Sequence, residues 1–321
     1  MNTETAPLRP ATLSDYISIM RIDHWFKNIF MLPGLVIAWL AYPPEVNAGF
    51  LLKIAIGVFA TCLIASANYV INEWLDAPFD RHHPTKKFRA SVVADLKGPR
   101  VWALWLALTI VGLALSWIIS PAFFWTEVWL LVMGILYNVQ PFRTKDRIYM
   151  DVLSESINNP IRLLLGWYLI VPSALPPSSM IMAYWMGGAF LMATKRYAEF
   201  RMIGDPERAG QYRRSFKFYT ERKLLISLFF YAITAAFFLG IFLVKDRIEL
   251  LLSFPLFALL FAWYLDMAFD EDSAVQHPEK LYRHKKYMAY VIFLSIVVFA
   301  LFYFDIPALH FFLEKTFTIL S

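Results

Sequence analysis

The chain has one cysteine, few histidines and little charge, and each shortage removes a class of reading. A lone Cys62 can form no internal disulfide, so redox compartment is unreadable. The six histidines include the adjacent His82 and His83, but no third imidazole or thiolate follows at ligand spacing, which argues against zinc. Charged residues make up 17% of the 321 residues, against 59% hydrophobic and 17% aromatic, a balance that excludes an ordinary soluble domain. The opening residues lack the basic, apolar and cleavage regions of a signal peptide. No long Gly/Ser or Pro linker interrupts the chain, so one domain over 1–321 is expected, with 1–20 as a polar N-terminal segment.

What is present is apolar length. Runs near the ~20 residues needed to cross a bilayer fall at 24–42, 50–75, 101–119, 122–138, 150–171, 178–198, 223–244, 248–269 and 287–309. The fifth is interrupted by Asp151, Glu155, Asn158, Asn159 and Arg162. It counts as a span because of where the basic residues lie: 25 of the 30 Lys and Arg precede or open the first run or cluster in and around alternate connections. The other connections and the tail hold only Lys53, Lys245, Arg247 and Lys315, with Arg162 inside a span. Nine spans satisfy the positive-inside rule, with a cytoplasmic N-terminus and an outer C-terminus. The expectation is an all-α bundle of nine transmembrane helices. The net charge of +5 then needs no nucleic-acid partner; it marks a basic cytoplasmic face suited to anionic head groups or phosphorylated substrates. The outer connections at 42–48 and 171–179 are short, Pro-bearing turns, whereas the cytoplasmic loops are long and charged, so function is expected on the cytoplasmic side.

Three constellations carry chemistry. In NEWLDAPFDRHHPTKKFR, Asn72, Asp76 and Asp80 recur every four residues and share a helix face, with Glu73 beside them and Arg81, His82, His83, Lys86, Lys87 and Arg89 after them. Carboxylates beside cations suit Mg²⁺-bound diphosphate, since Mg²⁺ takes one or two carboxylates plus phosphate oxygens and waters; the competing reading is a solvated, charge-balanced helix end. In DVLSESINNPIR, Asp151, Glu155 and Asn159 repeat the spacing, Arg162 follows, and Pro160 fits a kink or break. So many polar groups in lipid must face the bundle interior or a wet cavity, as a functional site or as an internal ion-pair cluster. The third group is diffuse: Lys27 and Asn28 in HWFKN, Tyr137, Asn138, Lys145, and Lys195, Arg196, Tyr197, Glu199 and Arg201 near the sixth run. Each such cation is more often a topology anchor than a ligand. Asp266 and Asp270 read as a helix end.

Nine spans with acidic clusters on the second and fifth resemble the UbiA-type intramembrane prenyltransferase superfamily, whose motifs are N-D-x-x-D-x-x-x-D and D-x-x-x-D. Here they read Asn72-Glu73-x-x-Asp76-x-x-x-Asp80 and Asp151-x-x-x-Glu155, each with one Asp-to-Glu change that keeps charge and lengthens reach. Within that superfamily, DRHHPTKKFR, HWFKN, KRYAEF and YRRSFKFYT look like the branch that moves 5-phosphoribose from phosphoribosyl diphosphate to a polyprenyl phosphate; Ala90 stands where that branch usually has Pro. The resemblance implies that Asn72, Asp76 and Asp80 hold Mg²⁺ and diphosphate. Arg81, His83, Lys86 and Arg89 would bind donor phosphates, Asp151 and Glu155 would meet the ribose or a second metal, and Arg162, Lys27 or Lys195 would orient the lipid phosphate. Tyr137, Lys145 and Arg196 join the expected binding set. The implied partners are phosphoribosyl diphosphate or another diphosphate donor, the lipid and the membrane, with a homo-oligomer left open; the implied place is a bacterial inner membrane. Two other readings stand beside this one. A true prenyltransferase would ionise an isoprenyl diphosphate and want an apolar tunnel in place of the basic tail. A transporter would line a pathway with its acids, and no inverted repeat supports it.

Overall fold

The computed structural model describes residues 8–81, 86–270, 273–276 and 278–313. In chain order its helices are α1 (Leu13–Ser18), α2 (Leu32–Ala41), α3 (Ala48–Asp80), α4 (Ala90–Val93), α5 (Gly98–Ile119), α6 (Pro121–Asn138), α7 (Met150–Ser156), α8 (Asn158–Tyr168), α9 (Ser178–Ile203), α10 (Pro206–Tyr212), α11 (Glu221–Asp246), α12 (Phe254–Asp266) and α13 (Lys285–Tyr303). Short 3₁₀ turns link them, and the extended structure among the described residues is one parallel pairing of β1 (Arg9–Pro10) with β2 (Ala94–Asp95). The all-α expectation holds.

Each apolar run falls largely on helical backbone. Five stretches are long and apolar enough to cross a membrane: α3, α5, α11, Ile248–Phe269 and α13. Their flanks expose large apolar side chains, among them Ile118, Phe229, Phe237 and Ile296, each more than 60% exposed, a surface that only lipid tolerates at this extent. The protein is an integral membrane protein. The first run begins as a ten-residue 3₁₀ segment, Ile22–Met31, before becoming α2, and the fifth is broken at Ile157 into α7 and α8. The break lies three residues ahead of Pro160, which has no N–H to continue a ladder and sits in the first turn of α8, where none is needed.

The chain divides into two compact units. The first comprises 1–176 and 203–220 and holds α1 to α8 and α10. Its core helix is α3, capped by Asn47, whose side chain accepts from the Phe50 N–H at 2.9 Å. Ser120 ends α5 in extended conformation and caps α6 by accepting from the Phe123 N–H at 3.1 Å, with Pro121 at the first helical position. Helices α2 and α8 cross at glycines: a Cβ on Gly34 would strike the Leu163 carbonyl, and one on Gly166 would strike the Met31 carbonyl. Small residues allow such backbone approach in membranes. Inside the unit, Thr61 of α3 meets the fully buried Glu127 of α6.

The second unit comprises 177–202 and 221–321. Phe190 of α9 stacks on Phe261 of α12 with centroids 4.7 Å apart. Glu221 at the start of α11 takes the Tyr197 hydroxyl at 3.2 Å and Arg201 at 3.2 Å. Asp266 and Asp270 are exposed at the end of α12, in keeping with a helix end.

Candidate active site

The last two turns of α3 carry Asn72, Asp76 and Asp80 on one face. Asn138, the last residue of α6, and the connection after it close over that face. The Asn72 amide donates to Asn138 Oδ1, and the buried Lys145 ammonium donates to the same oxygen at 2.7 Å and to Asp76 Oδ1 at 2.6 Å. Arg143 reaches Asp76 Oδ1 at 2.8 Å and Asp146 at 3.0 Å while its other amine holds the Asn138 carbonyl at 3.0 Å. Arg143 takes a φ of 28°, a backbone conformation that costs energy in an L residue and is held here by these three bonds. Burial pushes the Lys145 ammonium down to about 8, against the pull of Asp76 and with help from Arg143.

Asp80 receives Arg89 at 2.8 Å, and the same guanidinium lies 3.1 Å from Glu73. The ring of Phe79 carries Arg143 and Arg214, whose guanidinium carbons lie 4.9 and 4.8 Å from its centroid, a cation–π arrangement on an aromatic platform. Around this platform is a cleft whose carboxylates are Asp76, Asp80 and Asp146 and whose cations are Lys86, Arg143, Lys145, Arg213 and Arg214.

The second acidic row is set differently. Asp151 on α7 is fully buried; Tyr219 donates to its Oδ1 at 2.7 Å and Ser215 to its Oδ2 at 3.0 Å, with Arg213 Nε at 3.9 Å. Tyr219 in turn accepts the N–H of Tyr149, whose φ of 64° marks the strained turn into α7. Glu155, one turn on, accepts from the Tyr137 hydroxyl at 2.8 Å, and Arg213 donates to that same hydroxyl at 3.0 Å. Lys145 lies 5.7 Å from the Tyr137 ring centroid, so Tyr137 and Arg213 stand between the two rows.

The other expected residues have these partners within their own units. Arg162 donates to Asn28 at 2.9 Å and to the Asn158 carbonyl at 3.3 Å, which ties α8 to the HWFKN segment; Lys27 sits 5.7 Å from the Tyr69 ring centroid. Arg81 is exposed just past α3. Lys195 and Arg196 belong to the second unit, where Glu199 lies 4.0 and 3.2 Å from them. His83 lies outside the described residues. Arg143, Arg213 and Arg214 line the cleft without belonging to the set expected from the sequence. They sit in loops whose basic residues read as topology anchors, and only the resemblance of YRRSFKFYT pointed toward two of them.

The donor set fits a hard divalent cation. All three groups of the α3 row offer oxygen; Arg143 and Lys145 take Oδ1 of Asp76 and Arg89 takes Oδ2 of Asp80, leaving the second oxygen of each for a metal. Asn72 donates through its nitrogen, so its carbonyl oxygen remains as a third donor.

A helical membrane protein with a carboxylate row facing a cation-rich cleft has the equipment of a membrane-embedded transferase. The sequence model of the UbiA prenyltransferase family matches residues 30–284, and the chain belongs to that family. It is 30% identical to decaprenyl-phosphate phosphoribosyltransferase of Mycolicibacterium smegmatis over 66% of this chain, spanning 64% of that relative's length. The enzyme of the same name in Mycobacterium tuberculosis is 28% identical over 70% of this chain and 72% of its own. Among solved structures, a UbiA homolog from Archaeoglobus fulgidus bound to DMAPP and Mg²⁺ shares the fold, with a TM-score of 0.67, 17% identity, and coverage of 88% of this chain and 99% of that one.

Proposed function

We propose that the protein transfers 5-phosphoribose from phosphoribosyl diphosphate to a polyprenyl phosphate and releases diphosphate, in a bacterial inner membrane. The observation that carries this reading is the charge of the cleft: five cations against three carboxylates, arranged around Phe79 and extending beyond the α3 row. An isoprenyl diphosphate is charged at one end only. A phosphorylated sugar diphosphate is charged at both, and Arg143, Arg213 and Arg214 supply cations apart from Lys86 and Arg89.

Asp76 and Asp80, with the Asn72 carbonyl, would hold Mg²⁺, which when bound lowers the charge repulsion of the diphosphate and stabilises it as a leaving group. Lys145 and Arg89 sit on the same carboxylates and offset the negative charge that grows on the departing oxygen. As the C1–O bond to diphosphate breaks, its electron pair leaves with the diphosphate, and an oxygen of the lipid phosphate forms the new bond to C1. The lipid phosphate is already anionic, so no activated serine, cysteine or histidine is needed. Arg162 and Lys27, on elements joined through Asn28, are suited to orient the lipid head. We also read the nine helical stretches as nine spans, with the N-terminus and the cleft on the cytoplasmic face.

Purified protein in detergent with Mg²⁺ should transfer labelled phosphoribose to a polyprenyl phosphate, and Asp76→Ala should cut that transfer by roughly 10²–10³-fold. Prenyl transfer from an isoprenyl diphosphate to an aromatic acceptor, with no phosphoribosyl transfer, overturns the reading in favour of a prenyltransferase.

A further inference from the structure

We infer that Glu73 is a positioning residue that sets two basic segments in place around the α3 row and leaves the cation to its neighbours. It stands inside the motif among Asn72, Asp76 and Asp80, and its carboxylate is 3% exposed. Both of its oxygens are engaged. Oε1 takes Arg21 at 2.6 Å and lies 3.1 Å from Arg89, and Oε2 accepts the Ser91 hydroxyl at 3.2 Å. A metal would have to displace two guanidiniums to reach it, whereas the cations on Asp76 and Asp80 hold Oδ1 of the first and Oδ2 of the second.

The partners explain what the position does. Arg21 is the residue at which the chain turns, with a φ of 52°, into the 3₁₀ segment Ile22–Met31 that carries Lys27 and Asn28. The Glu73 carboxylate neutralises Arg21 at this turn. On the other side, Arg89 precedes α4, and Ser91 lies within it. Glu73 and Asp80 are seven residues apart, so they stand two turns from each other on nearly the same face, and one guanidinium of Arg89 spans both. With Glu73 present, Arg89 is held from two sides; without it, Asp80 alone fixes that guanidinium, and the segment that carries it loses a tie. The glutamate at this place also has a physical reason: its extra methylene gives the reach to hold Arg21 and Arg89 together.

This inference rests on the phosphoribosyl reading, and the test separates the two. Wild type and the variants Glu73→Gln, Arg21→Gln and the double variant are assayed for phosphoribosyl transfer, and Mn²⁺ affinity is measured by paramagnetic resonance. For Glu73→Gln the expected result is a roughly tenfold rise in KM for phosphoribosyl diphosphate, with kcat and Mn²⁺ affinity each changed less than about threefold. The double variant should be no worse than the worse single one, because both remove the same ion pair. A Mn²⁺ affinity lowered as far as in Asp76→Ala makes Glu73 a metal ligand and overturns the inference. Unchanged KM with reduced thermal stability reduces Glu73 to a packing role and overturns it too. Wild-type protein that transfers no phosphoribose removes the functional reading instead, while the Mn²⁺ comparison still decides whether Glu73 is a ligand.

Discussion

The two acidic rows of the first unit have the same spacing, and the partners that their own unit supplies differ. Within the first unit, Asp76 and Asp80 on α3 meet Arg143, Lys145 and Arg89, whereas Asp151 and Glu155 on α7 accept from the hydroxyls of Ser215, Tyr219 and Tyr137, and Arg213 Nε lies 3.9 Å from Asp151. Exposure differs as well: the Asp76 side chain is 21% exposed and that of Asp151 is 0%. A carboxylate held by cations at the edge of a cleft can exchange those partners for a metal and a phosphate. One whose oxygens accept from buried hydroxyls anchors whatever carries the hydroxyls, here the segment 213–220 with Arg213 and Arg214. The period of a motif places side chains on a face; the loops opposite decide what that face does.

The largest effect should fall at Asp76. Asp76→Ala is expected to lower kcat by roughly 10²–10³-fold, the scale for losing one preorganised charge contact, with the fold kept. Asp151→Ala should act by another route. It strands two buried hydroxyls, each at a cost of about 1–3 kcal/mol, so thermal unfolding in detergent should drop clearly while Mn²⁺ affinity stays near wild type. If Asp151→Ala instead leaves stability intact and abolishes Mn²⁺ binding, the two rows are alike and the contrast drawn from their partners is wrong.

Much of this contrast was out of reach of the sequence. The nine apolar runs, the break near Pro160 and the two i,i+4 rows are legible, because hydropathy and helical period are local properties. Lys145 entered the expected set, yet Arg143, two residues away, did not, since an isolated loop cation gives no sign of whether it faces lipid head groups or a cleft. The partners of Asp151 come from residues 64 and 68 positions further on, and no local pattern announces that Ser215 and Tyr219 return to α7. The 3₁₀ character of Ile22–Met31 and the division into two units also depend on packing, which a hydropathy profile does not record.

A milder cut sharpens the same contrast. Tyr219→Phe removes one hydrogen bond to a buried carboxylate, worth about 1.5–3 kcal/mol, and frees the strained turn at Tyr149 from the oxygen that accepts its N–H. Unfolding should shift by that amount, and KM for the donor should rise modestly because Arg213 and Arg214 ride on the same segment. A Tyr219→Phe protein as stable as wild type would show that the segment is held without the Tyr219 hydroxyl.

The smallest effect is expected at a third acid, which extends the hydroxyl-held class into the membrane interior. Glu127 of α6 is fully buried, its Oε1 meets Thr61, and its Oε2 has no partner among the described residues. The Thr61 hydroxyl also lies 3.1 Å from the Gly57 carbonyl, which can only accept. A hydroxyl has one proton to give, so if it goes to Gly57, the bond to Glu127 needs a proton from the carboxyl. A neutral carboxylic acid satisfies that count and avoids an unpaired charge at membrane depth. Glu127→Gln supplies an N–H in place of the acid O–H, so stability in detergent should change by less than about 1 kcal/mol, and transfer activity should be unaffected. Thr61→Val removes the partner and should cost about 1–3 kcal/mol. A Glu127→Gln protein destabilised by more than Thr61→Val would mean that the carboxylate is ionised and paired, which would move Glu127 out of the hydroxyl-held class and beside Asp76.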